Sequence, residues 1–332
     1  MSTTIVRFQK DRRGESAWGV VTNRRIRVVA GKYATLADFL ERGAAKARKL
    51  AGDRGAGRGT LALEKATLLS PVTTDAQIVC QGKNYVDHIK ETGFRPNDKT
   101  YNLIFTKAGS SLTGARGVIE RPPGVRLLDY EIELGLVIGK TPARKSQDES
   151  VRPESCVAGI VVANDVSARD IQVPQGQWFK GKSFRTFCPV GPYLVLLDRG
   201  DFGSLSDLEL NLRVNGETRQ HAFVRQMIYS PAETLSELAG LMTLRPGDLV
   251  LTGTPSGVAM RVPGGWRKKL AQLIYSEGAL MKKFVQLQEE SGRYLQDGDV
   301  IHASIATADG SLDLGMQELT VQSRNSNSSE GA

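Results

Sequence analysis

Two carboxylates set two residues apart, Glu131 and Glu133, offer the first chemistry in this chain, within Leu127-Leu128-Asp129-Tyr130-Glu131-Ile132-Glu133-Leu134-Gly135-Leu136-Val137-Ile138. On a strand, side chains two apart share a face, so the pair projects together and Tyr130, Ile132, Leu134, Leu136 and Ile138 form the opposite, apolar face. Buried without partners, two adjacent carboxylates would repel each other at a heavy desolvation cost, which a divalent cation would remove. Asp165 closes the apolar run of residues 158–164 and is a third candidate ligand. Three oxygen donors with no His or Cys nearby in sequence suit a hard ion, Mg2+ or Mn2+, with water in the open positions. The same spacing also fits the solvated face of an edge strand, and it does not decide between the two.

A second constellation is His88 with Glu91, in Asn84-Tyr85-Val86-Asp87-His88-Ile89-Lys90-Glu91-Thr92-Gly93. This stretch reads as one or two helical turns closed by Gly93, with the two side chains three apart on one face. A carboxylate bonded to one imidazole nitrogen makes the other a better base, able to take a proton from water. A surface His–Glu pair has the same spacing. The other two histidines, His221 and His302, have no such partner in sequence and read as structural.

Cations for a substrate carboxylate or an enolate oxygen are at hand in Arg169-Asp170-Ile171-Gln172 and in Trp178-Phe179-Lys180-Gly181-Lys182, whose two lysines share a side if the segment is extended. Thr252-Gly253-Thr254-Pro255-Ser256-Gly257 is a Gly-rich turn able to offer N–H groups and a hydroxyl, and it lacks the Gly-Lys-Ser/Thr ending of a P-loop.

Short strands must position these residues. Apolar runs at 5–8, 18–22 and 26–29, then a helix over 35–50, describe a small β-rich N-terminal module closed by the Gly-rich stretch 51–59. Further strands are expected at 103–106, 130–138, 159–164, 193–197, 208–215, 249–252 and 300–305, with a hairpin turn at Asn215-Gly216 and one helix over 232–241. Many strands with few helices between them favour an α+β, β-rich roll or barrel over a doubly wound sheet. The resulting division is a module over 1–67, a catalytic domain over 68–322 and a polar, disordered tail over 323–332. Residues 266–289 form an amphipathic helix, or two broken near Gly278.

Three cysteines, Cys80, Cys156 and Cys188, without CxxC spacing argue against a disulfide framework or a thiolate metal site. No apolar run approaches a membrane span, and the opening Met1-Ser2-Thr3-Thr4 lacks a signal-peptide core, so the expected location is cytoplasmic. The formal net charge of +8 is spread along the chain without interleaved aromatics. Solvated surface charge therefore explains it better than nucleic-acid binding, and it would also draw in anionic substrates.

Taken in order, the motifs resemble those of the fumarylacetoacetate hydrolase family: Asn84-Tyr85-x-x-His88-x-x-Glu91, Phe105-x-Lys107, Asp129-Tyr130-Glu131-Ile132-Glu133-Leu134 and Asn164-Asp165-Val166-Ser167-Ala168-Arg169-Asp170. Gly181-Lys182-Ser183-Phe184, Val214-Asn215-Gly216-Glu217 and Pro246-Gly247-Asp248 running into Leu251-Thr252-Gly253-Thr254-Pro255 continue the series, over roughly residues 75–260. The resemblance implies a mixed β-strand roll with a small N-terminal module, and a homodimer with a small-molecule substrate and no nucleic-acid or membrane partner. It places the metal ligands on Glu131, Glu133 and Asp165 and the water-activating pair on His88 and Glu91, carried by a lid. Lys182 falls on the substrate side, with Tyr85, Arg169, Gln172 and Thr254 around the substrate. The implied reaction is metal-dependent hydrolysis of a C–C bond in a 1,3-dicarbonyl, acylpyruvate-like acid; decarboxylation, hydration or isomerisation of a 2-oxo acid is the alternative on the same site. Two features depart from the family pattern: the helical insertion at 266–289, expected to cap the site or extend a dimer interface, and Lys83 in Cys80-Gln81-Gly82-Lys83-Asn84, a possible extra cation near the site.

Overall fold

The computed structural model describes residues 2–9, 14–53, 60–87, 101–143, 150–261 and 277–324. The larger of two main sheets has 11 strands. Its order is Thr60–Ala62, Arg25–Val28, Ser16–Thr22, Thr3–Gln9, Leu194–Leu196, Val157–Asn164, Ile132–Ile138, Leu249–Leu251, Ile78–Gly82 and Leu103–Lys107, with Thr67–Leu69 paired to Thr3–Gln9 off this path. The smaller has five strands, ordered Glu217–Phe223, Glu209–Val214, Val300–Ala306, Asp313–Ser323 and Arg116–Arg121. Neither sheet closes into a barrel among the described residues. The architecture is the mixed, β-rich roll expected from the run of short strands.

The strand Ile132–Ile138 is buried at every position because it is central, paired antiparallel to Val157–Asn164 on one side and Leu249–Leu251 on the other. The edge-strand reading of Glu131 and Glu133 is therefore set aside: Glu133 sits in the middle of a sheet. Register does the rest. Ile132 lies opposite Asn164, which brings Glu131 beside Asp165, and the Asp165 N–H donates to the Glu131 carbonyl at 2.8 Å.

The N-terminal strands extend the same large sheet, because Thr3–Gln9 pairs with Leu194–Leu196. The single helix expected over 35–50 is two, Leu36–Arg42 and Ala44–Gly52, meeting at Gly43. Thr35 caps the first by accepting from the Asp38 N–H, and Phe39 stacks on Trp18 with ring centroids 4.3 Å apart, which seats that helix on the sheet. In the segment expected to be a helical insertion, Glu277–Glu290 is one helix with Gly278 in its first turn, while residues 266–276 lie outside the described residues. At the C-terminus, Ser323 closes the strand Asp313–Ser323, and residues 325–332 of the expected tail lie outside the described residues. No helix among the described residues is long and apolar enough to cross a membrane.

Candidate active site

Glu131, Glu133 and Asp165 are all buried, and each offers a carboxylate oxygen within 4.8 Å of the other two. The structure brings the three candidate ligands together from the end of one central strand and the end of its neighbour. It also brings three cations to them: Lys182 and Arg169, which the resemblance sets around the substrate, and Lys107, to which the sequence reading gave no role. Lys182 Nζ donates to Glu131 Oε2 at 2.6 Å and to Asp165 Oδ2. Lys107 Nζ meets Asp165 Oδ1 at 2.5 Å from the other side, fully enclosed. Arg169 donates through Nε to Asp129 Oδ2 at 2.8 Å, through Nη1 to Gln172 Oε1 at 2.8 Å and through Nη2 to Glu131 Oε1. Four buried carboxylates thus face three buried cations.

Glu133 is treated differently. Among the described residues it has no Lys or Arg within ion-pair distance, and its recorded partner is the Gly253 N–H, donating to Oε2 at 2.7 Å. Burial, then the neighbouring Asp165 and Glu131, push its carboxyl well above the usual carboxylate range. A divalent cation is what such a group lacks, and an all-carboxylate donor set suits Mg2+ or Mn2+, so the residues fit the expected ion. Burial opposes the charge on Lys182, but Asp165 and Glu131 outweigh it and raise its pKa, so the ammonium is retained. Its other side is apolar: Nζ lies 5.0 Å from the Phe105 ring centroid and 5.9 Å from that of Trp178.

The lysines of the 178–182 segment do not share a side. Trp178–Lys182 is a short helix, not an extended stretch, so Lys182 is buried while Lys180 faces solvent. The helix packs on Arg169–Gln175, and a Cβ on Gly181 would sit 2.8 Å from the Gln172 Cβ. That close approach buries Lys182, and local periodicity does not encode it.

The Gly-rich turn folds over the same carboxylates. Thr252 Oγ1 donates to the Leu134 carbonyl at 2.8 Å and Thr254 Oγ1 to the Ile132 carbonyl at 2.9 Å, pinning the turn along the strand. Gln220 reaches in from the smaller sheet, donating to Thr254 Oγ1 at 2.8 Å and accepting from the Ile132 N–H at 3.0 Å. Asn84 holds the far side, donating to the carbonyls of Thr252 and Tyr229 at 2.8 and 3.0 Å. Next to it, Tyr85 is buried with its hydroxyl unpartnered among the described residues; burial, then Glu133, raise its pKa and keep it protonated.

His88 and Glu91 lie outside the described residues, which end at Asp87 on this segment. His221, expected to lack a partner, has one: its Nε2 is 2.6 Å from Glu209 Oε1, across a strand pair that sequence spacing cannot reveal. Sequence reasoning quoted Lys107 and Asp129 within motifs but gave neither a role. The signal was present in their charge, next to apolar residues due for burial.

Comparison with known proteins agrees with this arrangement. The model of the fumarylacetoacetate (FAA) hydrolase C-terminal family matches residues 77–322. The chain is 38% identical over 237 residues to the mitochondrial oxaloacetate tautomerase Fahd2a of Rattus norvegicus, covering 71% of this chain and 74% of the relative. It superposes on a fumarylacetoacetate hydrolase from Exiguobacterium antarcticum with a TM-score of 0.70 and 30% identity, over 97% of this chain and 100% of that one. A 2-hydroxyhepta-2,4-diene-1,7-dioate isomerase from Mycobacterium marinum gives a TM-score of 0.66 and 26% identity, over 97% and 99%. With a family match that contains every described residue of the carboxylate cluster, the chain belongs to the fumarylacetoacetate hydrolase family of enzymes.

Proposed function

We propose that this protein is a divalent-metal-dependent enzyme that interconverts the keto and enol forms of a small 2-oxo dicarboxylic acid of the oxaloacetate type. The observation that carries this reading is the 38% identity, over 74% of its length, to an oxaloacetate tautomerase. In this reading Glu131, Glu133 and Asp165 hold Mg2+ or Mn2+, which when bound supplies Lewis-acid stabilisation of negative charge on a substrate oxygen. Lys182, kept charged between Glu131 and Asp165, adds a fixed positive charge beside that oxygen. The Phe105 and Trp178 rings keep water from its apolar side. The protonated Tyr85 hydroxyl is a donor for a substrate oxygen. Arg169 spends a hydrogen bond from each of its nitrogens on Asp129, Glu131 and Gln172, so it and Gln172 support the site rather than grip the substrate. In the enol-to-keto direction one proton leaves the enol oxygen and one is added to the adjacent carbon; C–O becomes C=O as C=C becomes C–C, and the carbon skeleton stays intact.

A second reading, hydrolysis of a C–C bond in an acylpyruvate, is favoured by the His88–Glu91 spacing and by the likeness to a fumarylacetoacetate hydrolase. There the pair takes a proton from water, the water oxygen adds to the distal carbonyl, and the C–C bond breaks to a carboxylate and an enolate that is then protonated. Under this reading His88→Ala lowers the rate by about 10²- to 10⁴-fold; an unchanged rate ends the assignment of the pair.

The test follows the enol absorbance of oxaloacetate and of a panel of acylpyruvates with Mg2+, with Mn2+ and with chelator, and identifies products. Chelator-sensitive loss of the oxaloacetate enol with no carbon dioxide and no cleavage is expected. Two acids released from an acylpyruvate, with oxaloacetate unmoved, would replace the tautomerase by the hydrolase. Carbon dioxide from oxaloacetate would make it a decarboxylase, and no chelator-sensitive turnover would remove both readings.

A further inference from the structure

Among the described side chains of the helix Glu277–Glu290, Phe284 is half-buried and Val285 and Gln288 are buried against the body of the protein, while Lys282, Lys283, Gln286, Glu289 and Glu290 face solvent. A buried glutamine on such a helix needs partners for both ends of its amide, and it has them. Gln288 Oε1 accepts from the Arg261 N–H at 3.1 Å and from the Tyr294 hydroxyl at 2.8 Å, and Nε2 donates to the Arg261 carbonyl at 2.7 Å. The side chain therefore pairs with the backbone of residue 261 on both sides, as a neighbouring strand would.

The two residues before Arg261 carry this hold to the site. The N–H groups of Ala259 and Met260 donate to the Asp129 carboxylate at 2.8 and 3.2 Å. Asp129 in turn receives Arg169 Nε at 2.8 Å, and Arg169 holds Glu131. The end of the helix is stitched to the same place a second time: Glu289 pairs with Arg126 at 3.2 Å, and the Leu295 N–H donates to the Leu128 carbonyl at 2.9 Å.

We propose that Gln288 is a positioning residue through which the helix Glu277–Glu290 sets the Asp129–Arg169–Glu131 chain, and so the geometry of the carboxylate cluster toward a divalent ion. This rests on the metal reading given above. Partners behind metal ligands commonly hold about 10- to 100-fold in metal affinity. Gln288→Met keeps the length and removes all three hydrogen bonds without altering charge, so any loss of affinity reports geometry and not electrostatics. Val285→Ala removes packing from the same helix and leaves the amide pairing in place.

The experiment is calorimetric titration of the whole 332-residue chain and the two variants with Mn2+ alone, with thermal melts and hydrogen exchange at the Ala259 and Met260 amides. Gln288→Met is expected to weaken Mn2+ binding about 10-fold and to speed exchange at those two amides. Val285→Ala is expected to lower Tm with Mn2+ affinity unchanged. Unchanged affinity and exchange in Gln288→Met would overturn the proposal alone, as would an equal loss of affinity in Val285→Ala, which would make the helix a packing element. Absence of Mn2+ binding in the parent protein would instead overturn the metal reading, and this proposal with it.

Discussion

Lys107 and Lys32 carry the same charge and each meets a carboxylate, but their surroundings set very different energies. Lys107 and Asp165 have no exposed side-chain surface and lie 2.5 Å apart, whereas the Lys32 and Glu15 side chains are 86% and 80% exposed at 2.9 Å. Removing one partner of a buried pair leaves the other charge desolvated, so Lys107→Met is expected to cost about 3–5 kcal/mol. Lys32→Met is expected to cost less than about 1 kcal/mol. Urea unfolding of the two variants checks this, and equal shifts would contradict the charge accounting of the site. The carboxylate cluster was legible in the sequence as candidates, Glu131 and Glu133 by their spacing and Asp165 by ending an apolar run, and the ordered family motifs, not the spacing alone, singled out the three that the structure brings together. The ion pairs were not: Lys182 and Arg169 were expected around the substrate and Lys107 had no role, because the partners lie far apart in the chain, Lys107 58 residues from Asp165 and Arg169 40 from Asp129. Proximity of that kind is made by sheet register and leaves no trace in local spacing.

Among the elements, the turn after Leu249–Leu251 does the most with the least side chain. Gly253 sits at φ +90°, and a Cβ there would come within 2.7 Å of the Asn84 Cβ. Gly253→Ala is therefore expected to be strained by about 1–3 kcal/mol and to tilt its N–H away from Glu133. Lower Tm together with weaker Mn2+ binding would bear this out; a melt matching that of the parent protein would not. The strands that were read from the sequence fall within a residue or two of those observed, as at Leu103–Lys107 and Val300–Ala306, because a half-buried or buried strand writes its period into apolar positions, whereas Arg116–Arg121, Glu217–Phe223 and Asp313–Ser323 were not read. The conformation of Trp178–Lys182 was left open by the sequence, because five residues are too few to show a helical period and packing on the preceding helix decides it.

For the molecule as a whole, the +8 charge that reads as solvated surface includes three cations held inside, Lys107, Arg169 and Lys182. Cys80, Cys156 and Cys188 are all buried and reduced. Burial pushes the Cys156 thiol up to about 11 and the Cys188 thiol up to about 12, from an ordinary value of 9.0. These acids ionise in the unfolded chain before they do so in the folded one. The stability they contribute is therefore complete below pH 9.0 and is lost as pH rises through the folded values of about 11 and 12. Thermal midpoints that fall across that window, with a disulfide reagent labelling thiols only on unfolding at about pH 8, are the expected result; rapid labelling of the folded protein would contradict it. The dispersed origin of the carboxylate cluster also constrains the order in which the chain can fold. A partly folded form that buried Glu131 and Asp165 before residues 107, 169 and 182 had arrived would enclose both carboxylates without their cations, at several kcal/mol for each charge. Water is the better solvent for those carboxylates until the distant charges come in, so the centre of the catalytic sheet is the part of the core that this sequence has most reason to close last.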